Sequence, residues 1–189
     1  MSKVRLYLVR HGKTMFNTIG RAQGWSDTPL TAEGELGIHE LGIGLRESGL
    51  QFDRAYSSDS GRTIQTMGII LEELGLQGKI PYRMDKRIRE WCFGSFDGAY
   101  DGDLFMGVIP RVFKVDHVHQ LSYAELAEGL VEVDTAGWAE GWEKLSGRIK
   151  EGFEAIAKEM EEQGGGNALV VSHGMTIGTI VYLINGMHP

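Results

Sequence analysis

The 189-residue chain contains a single cysteine, Cys92, so no disulfide can form within it, and a reducing cytoplasm is the compartment that suits it. It lacks any apolar run of the roughly eighteen residues a membrane helix needs, so no transmembrane span is expected. It opens without a basic-then-apolar leader, and no targeting segment is expected. Cations are in the minority: 19 Lys and Arg against 26 Asp and Glu leave a formal charge of −7. That balance argues against nucleic acid or an anionic membrane as a partner, but not against a small anion gathered by local arginines. Repeats and low-complexity linkers are absent too. What is present, 42% hydrophobic and 24% charged residues, suits one soluble globular domain over 1–189, with the oligomeric state left open.

Val4–Val9 is a short apolar run with the pattern of a fully buried strand. Further strands are expected at Arg54–Ser57, Ile80–Met84 and Ala168–Ser172. Helices are expected over residues 32–48 with Thr31 as N-cap, Asp59–Leu74, Ala139–Glu162 and Met175–Ile184. Strands alternating with helices of this length predict an α/β fold with a mainly parallel sheet. The stretch 97–140 breaks the alternation. It reads as an insertion over one end of the sheet, with short helices at Leu104–Phe113 and Tyr123–Val131.

Polar residues cluster where these strands should end. Arg10-His11-Gly12 follows the first strand, and Ser57-Ser-Asp-Ser-Gly-Arg62 the second. Arg89-Glu90 comes after the third, and Ser172-His173-Gly174 joins the last strand to the last helix. A parallel sheet brings all its carboxyl ends to one edge, so these groups are expected to converge. Together they suit phosphoryl transfer. Arg10 and Arg62 can grip phosphate oxygens in bidentate fashion, and helix amino termini add N–H donors. Neutral imidazole is a competent nucleophile that needs neither metal nor cofactor, and adjacent guanidinium charge should keep His11 deprotonated. Glu90 can protonate a departing alkoxide and then activate water, although pairing with Arg87 or Arg89 is an alternative for it.

These segments resemble the histidine phosphatase superfamily, the phosphoglycerate mutase-like group. The resemblance rests on LYLVRHG at 6–12, NTIGRAQGWSDTPLTAEG at 17–34, SSDSGRTIQT at 57–66, REWCFGSFDG at 89–98 and VVSHGMT at 170–176. It implies a three-layer α/β/α sandwich with an α-helical insertion, and phosphorylation of His11. Arg10, Arg62 and His173 would complete the phosphate pocket, and Glu90 would be the proton donor. Asn17, Gln23, Gly24 and the Gly174 amide would add phosphate or substrate contacts, although Asn and Gln also suit loops. Asp97 stands where many relatives carry glutamate, a change expected to lie outside the pocket. The sequence ends at Pro189, whereas relatives continue into a further strand, so a missing edge strand is expected to weaken the fold.

Between activities, the insertion is the discriminating feature. Residues 97–140 hold nine acids and only Arg111 and Lys114, a formal charge of −7. Such a cover is expected to repel a second phosphate. WCFGSFDG after Glu90 also differs from the tyrosine-glycine-alanine-leucine run of cofactor-dependent mutases. A metal-independent phosphomonoesterase acting on a small phosphorylated metabolite is therefore favoured. A phosphoglycerate mutase is the alternative, and an inactive phospho-ligand binder ranks third. Leu104, Phe105, Met106, Val108, Ile109, Val112, Phe113 and Val118 suggest a lid for an apolar or neutral substrate body. His117-x-His119 has no cysteine or further histidine near it, so solvated or substrate-side residues are expected there rather than a metal pair. Trp25 and Trp91 either wall the pocket or simply pack. Trp138 and Trp142 are expected on one helix face in the core, and Cys92 as a small buried hydrophobe.

Overall fold

A computed structural model describes residues 3–186. Four strands form one parallel sheet: β1 (Val4–Arg10), β2 (Arg54–Ser57), β3 (Tyr82–Met84) and β4 (Gly166–Ser172), in the order β1-β4-β2-β3. The principal helices are α1 (Met15–Thr18), α2 (Ala32–Glu47), α3 (Gly61–Glu73), α4 (Ile109–Phe113), α5 (Tyr123–Val133), α6 (Trp142–Glu162) and α7 (Gly174–Asn185). The expected elements recur with ends moved by a few residues. The largest changes are at α4, which starts at Ile109 rather than Leu104, and at α6, which starts at Trp142 rather than Ala139.

Strand alternation divides the interior into two cores. On β4, Ala168 and Val170 face a core built with Ile149, Phe153 and Ile156 of α6 and Ile180 of α7. Leu169 and Val171 face the other way, toward Ile38 of α2 and Met67, Ile70 and Leu71 of α3. Period-two side-chain placement on a sheet covered by helices on both faces produces the three-layer sandwich. Thr31 caps α2 by accepting a hydrogen bond from the Gly34 amide at 3.1 Å, as its place in the turn predicts.

Three expectations change. β1 is half-buried rather than fully buried, because it lies at the sheet edge and β4 holds the centre. An apolar run cannot distinguish those positions. Trp138 lies in the turn before α6 and is 69% exposed, so it shares no helix face with Trp142, which packs against the core. The insertion begins with a π-helical stretch, Gly102–Val108, that runs into α4.

Candidate active site

The strand register places the polar segments together. Arg10 pairs with Ser172, Ser57 with Val171, and Met84 with Ser57, so all four carboxyl ends share one sheet edge. His11, Ser58 and His173 each follow immediately after a strand ends. His11 is buried, and its backbone N–H donates to Ser172 O at 3.1 Å, which carries the pairing of β1 with β4 one residue further. Gly12 donates its amide to Thr66 Oγ1 on α3 at 3.0 Å, and a Cβ at that position would press on Ile38 and the Gly34 carbonyl.

The protonation of His11 follows from its contacts. Nδ1 lies 2.8 Å from the Gly12 carbonyl, which can only accept, so Nδ1 carries the hydrogen and Nε2 keeps its lone pair. Burial, followed by the field of Arg62, lowers its pKa from 6.5 to about 4. Desolvation is thus the leading cause, ahead of the guanidinium charge. The His173 ring stands 5.4 Å from that of His11, centroid to centroid. Its Nδ1 accepts from Arg62 Nη2 at 2.9 Å, leaving Nε2–H to donate to Ser58 Oγ at 2.7 Å. His173 is therefore neutral also, held far below the usual imidazole range by burial and then by Arg62.

Arg62 is fully buried, in the first turn of α3. Its Nη1 donates to Ser26 O and to Asp27 Oδ1 (2.8 Å), and its Nη2 to Gly24 O (2.8 Å) and His173. Only Nε–H is buried without a partner. The expectation of a bidentate grip by Arg62 is corrected: two loop carbonyls, the Asp27 carboxylate and His173 take its other donors and leave one N–H unpaired. A buried guanidinium N–H left without a protein partner is costly. Arg10 is exposed, and a Cβ on Gly174 would lie 3.5 Å from its Nε. Arg10, His11, Lys13, Asn17 and Asp101 line one cavity of about 370 Å³.

Glu90 makes no ion pair with Arg87 or Arg89, which bind Asp85 and Asp59 instead. Its buried carboxylate accepts from the amides of Trp91, Met175 and Thr176 at 3.0–3.1 Å, and from Thr176 Oγ1 at 3.1 Å. Burial raises its pKa, against the opposing pull of those donors. The first turn of α7 thus serves Glu90 through Met175 and Thr176, while Gly174 opens the helix beside Arg10.

The remaining expected residues divide by role. Asn17 lines the cavity, and its Oδ1 accepts from Thr14 N at 3.2 Å in the capping box of α1. Gln23 is buried and faces protein groups, bonded to Thr14 Oγ1 and Thr28 Oγ1 at 2.6 and 2.9 Å. Gly24 supplies a carbonyl to Arg62, and any Cβ there would collide with the Trp91 carbonyl. Trp91 is buried, with its indole N–H on Thr179 Oγ1, whereas Trp25 is partly exposed beneath Arg89. Cys92 is buried, as expected.

Asp97 is not peripheral. Its carboxylate accepts from Gly24 N, Ser26 N, Ser26 Oγ and Phe93 N at 2.8–3.1 Å, fixing the loop whose carbonyls hold Arg62. Composition also hid Arg148, which pairs with the buried Glu140 and donates to the carbonyls of Arg87, Arg89 and Glu90. Ser58 and Asp27 lay inside quoted motifs, but their hydrogen-bonding partners are 115 and 35 residues away. The acidic insertion mostly serves backbone: Glu125, Glu128, Asp134 and Asp97 accept amides, and Glu140 binds Arg148. Among the described residues, no group of three or more His, Cys, Asp or Glu side chains is arranged for a metal ion, and His119 lines an apolar cavity instead.

A family model of the histidine phosphatase superfamily (branch 1) matches residues 6–189. The chain belongs to this superfamily. A relative from Salmonella choleraesuis, named "Probable phosphoglycerate mutase GpmB", is 32% identical over 97% of this chain and 76% of its own length. A phosphoglycerate mutase structure from Bacillus anthracis superposes with a TM-score of 0.91 at 37% identity, covering 98% of this chain and 82% of that one. A structure from Escherichia coli described as a "putative alpha-ribazole-5'-P phosphatase" gives a TM-score of 0.70 at 25% identity, over 98% and 81% of the two chains. As a histidine phosphatase superfamily member, the chain has phosphatase- or mutase-type activity, and both names occur among these relatives.

Proposed function

We propose that the protein is a phosphomonoesterase that passes the phosphoryl group of a small ester to His11 and from there to water. The observation that carries this reading is the neutral His11 imidazole, with Nδ1–H tied to Gly12 O and the Nε2 lone pair available, beside a buried Arg62 Nε–H without a partner. Nε2 attacks phosphorus, the ester P–O bond breaks, and Glu90 delivers a proton to the departing oxygen. Water then attacks phosphorus, the P–N bond breaks, and Glu90 recovers a proton. Arg10, the Arg62 Nε–H and His173 stabilise charge on the transferring group, with Asn17 at the rim. No step calls for a metal or a cofactor.

Hydrolysis is favoured over mutase chemistry by the neighbouring chamber. A cavity of about 550 Å³ adjoins Gly174 and Met175 and is walled by Phe105, Met106, Val118, Leu121 and Tyr123, with no lysine or arginine in its lining. That surface suits the apolar or neutral body of a monophosphate, and His119 is the one ionisable group of its lining besides Tyr123. The single cysteine, buried, fits a reducing cytoplasm as the workplace. A panel of aryl and alkyl phosphates set against 2,3-bisphosphoglycerate, with His11→Ala as control, tests the reading. Faster turnover of the monoesters is expected. Preference for the bisphosphate, or interconversion of phosphoglycerates, would assign the protein to the mutases instead.

A further inference from the structure

Of the nine acids in the insertion, one lines the cavity that holds His11. Asp101 shares that space with Arg10, Lys13 and Asn17. Its backbone is fixed by a small antiparallel ladder. Asp101 N donates to Gly20 O at 2.9 Å, Gly98 N and Ala22 N exchange bonds with Ala22 O and Ala99 O, and Arg21 lies over the Tyr100 ring. The half-buried carboxylate has no hydrogen-bond or ion-pair partner among the described residues, although two cations border the same cavity. Burial without a partner pushes its pKa up. Immediately after it comes the π-helical stretch Gly102–Val108, whose Phe105 and Met106 wall the adjoining apolar chamber. Interruptions of this kind often mark functional positions. One short segment thus presents an unpaired acceptor to the reacting phosphate's surroundings and an apolar wall to the space beyond.

We propose that Asp101 is a specificity-determining residue, which binds a hydroxyl or ammonium group borne near the phosphate of the substrate and repels a second anion placed there. This rests on the phosphomonoesterase reading and deepens it. A carboxylate accepts such donors strongly, whereas a substrate carboxylate or second phosphate in the same cavity meets like charge at close range. In a half-exposed site one unit charge at that range shifts affinity by about ten-fold.

Calorimetry comparing phosphoethanolamine with 3-phosphoglycerate on the wild-type chain and on Asp101→Asn is the test. Phenyl phosphate turnover is measured alongside in each protein, and urea unfolding verifies that the variant is folded. The wild type is expected to favour the amine by about ten-fold or more, and Asp101→Asn to shrink that ratio by about ten-fold. Asp101→Ala should repeat the result should the amide variant unfold. A wild-type protein indifferent to the two ligands, or a ratio unmoved in the variants, overturns the inference. Absence of phenyl phosphate turnover with a ratio that still moves overturns the phosphomonoesterase reading alone.

Discussion

Lowering the pH should reveal how strongly the fold depends on an uncharged His11. His11 titrates near 6.5 when the chain is unfolded, and at about 4 in the folded protein because burial and then Arg62 disfavour its cation. Between those values the unfolded chain binds a proton that the native state refuses. Stability from this group is therefore complete above pH 6.5 and is lost as the pH falls toward 4. At about 1.4 kcal/mol per pH unit, the full interval corresponds to roughly 3 kcal/mol, a large share of a typical domain's stability. Urea unfolding of the wild type and His11→Gln between pH 8 and about pH 4 measures it. Glutamine retains an N–H for the Gly12 carbonyl but has nothing to titrate, and the other acidic and basic groups are common to both proteins. The wild type should lose roughly 3 kcal/mol more than the variant across that range, most of it below pH 6. Parallel curves would refute the reasoning, because they would mean that the folded imidazole titrates as it does in the unfolded chain.

Other perturbations address the chemistry and its supports. Glu90→Gln should leave phosphate affinity within a few-fold, yet slow alkyl esters by about 100-fold or more relative to aryl esters, whose leaving groups need no proton; equal losses across leaving groups would argue against proton donation. Rapid quench of the wild type should trap an acid-labile phosphohistidine that His11→Ala cannot form. Asp97→Ala strands donors at Gly24, Ser26 and Phe93 and should destabilise the fold by about 2 kcal/mol, while weakening phosphate binding through the released Arg62 loop. Turnover after EDTA treatment is expected to match the untreated enzyme, and a loss restored by added metal would contradict a purely imidazole mechanism.

The alternation of apolar runs with amphipathic stretches was enough to read an α/β fold with a mainly parallel sheet, because such a sheet requires strand and helix periodicities in that order, and the family resemblance supplied the sandwich. The converging edge was legible for the same reason: once the strands are parallel, Arg10-His11, Arg62 and His173 are carried to one side whatever the loops do. The local role of Thr31 was also readable, since a cap acts within one helical turn.

Other properties depend on partners far apart in the chain. Whether Val4–Arg10 is central or at an edge is a matter of strand order, about which an apolar run carries no information. The single remaining N–H of Arg62 follows from acceptors 35 to 111 residues away, and the importance of Asp97 from amides more than 70 residues away. Net charge over 97–140 averaged nine acids into one repulsive cover, whereas five of them serve backbone or Arg148 and Asp101 alone lines the His11 cavity. The amino-acid order by itself determined the fold class and the set of candidate side chains at one sheet edge, because these follow from periodicity and from chemistry each residue carries with it. Only the tertiary structure decided protonation, donor availability and which carboxylate lines the His11 cavity, because desolvation and hydrogen bonding are properties of neighbours in space.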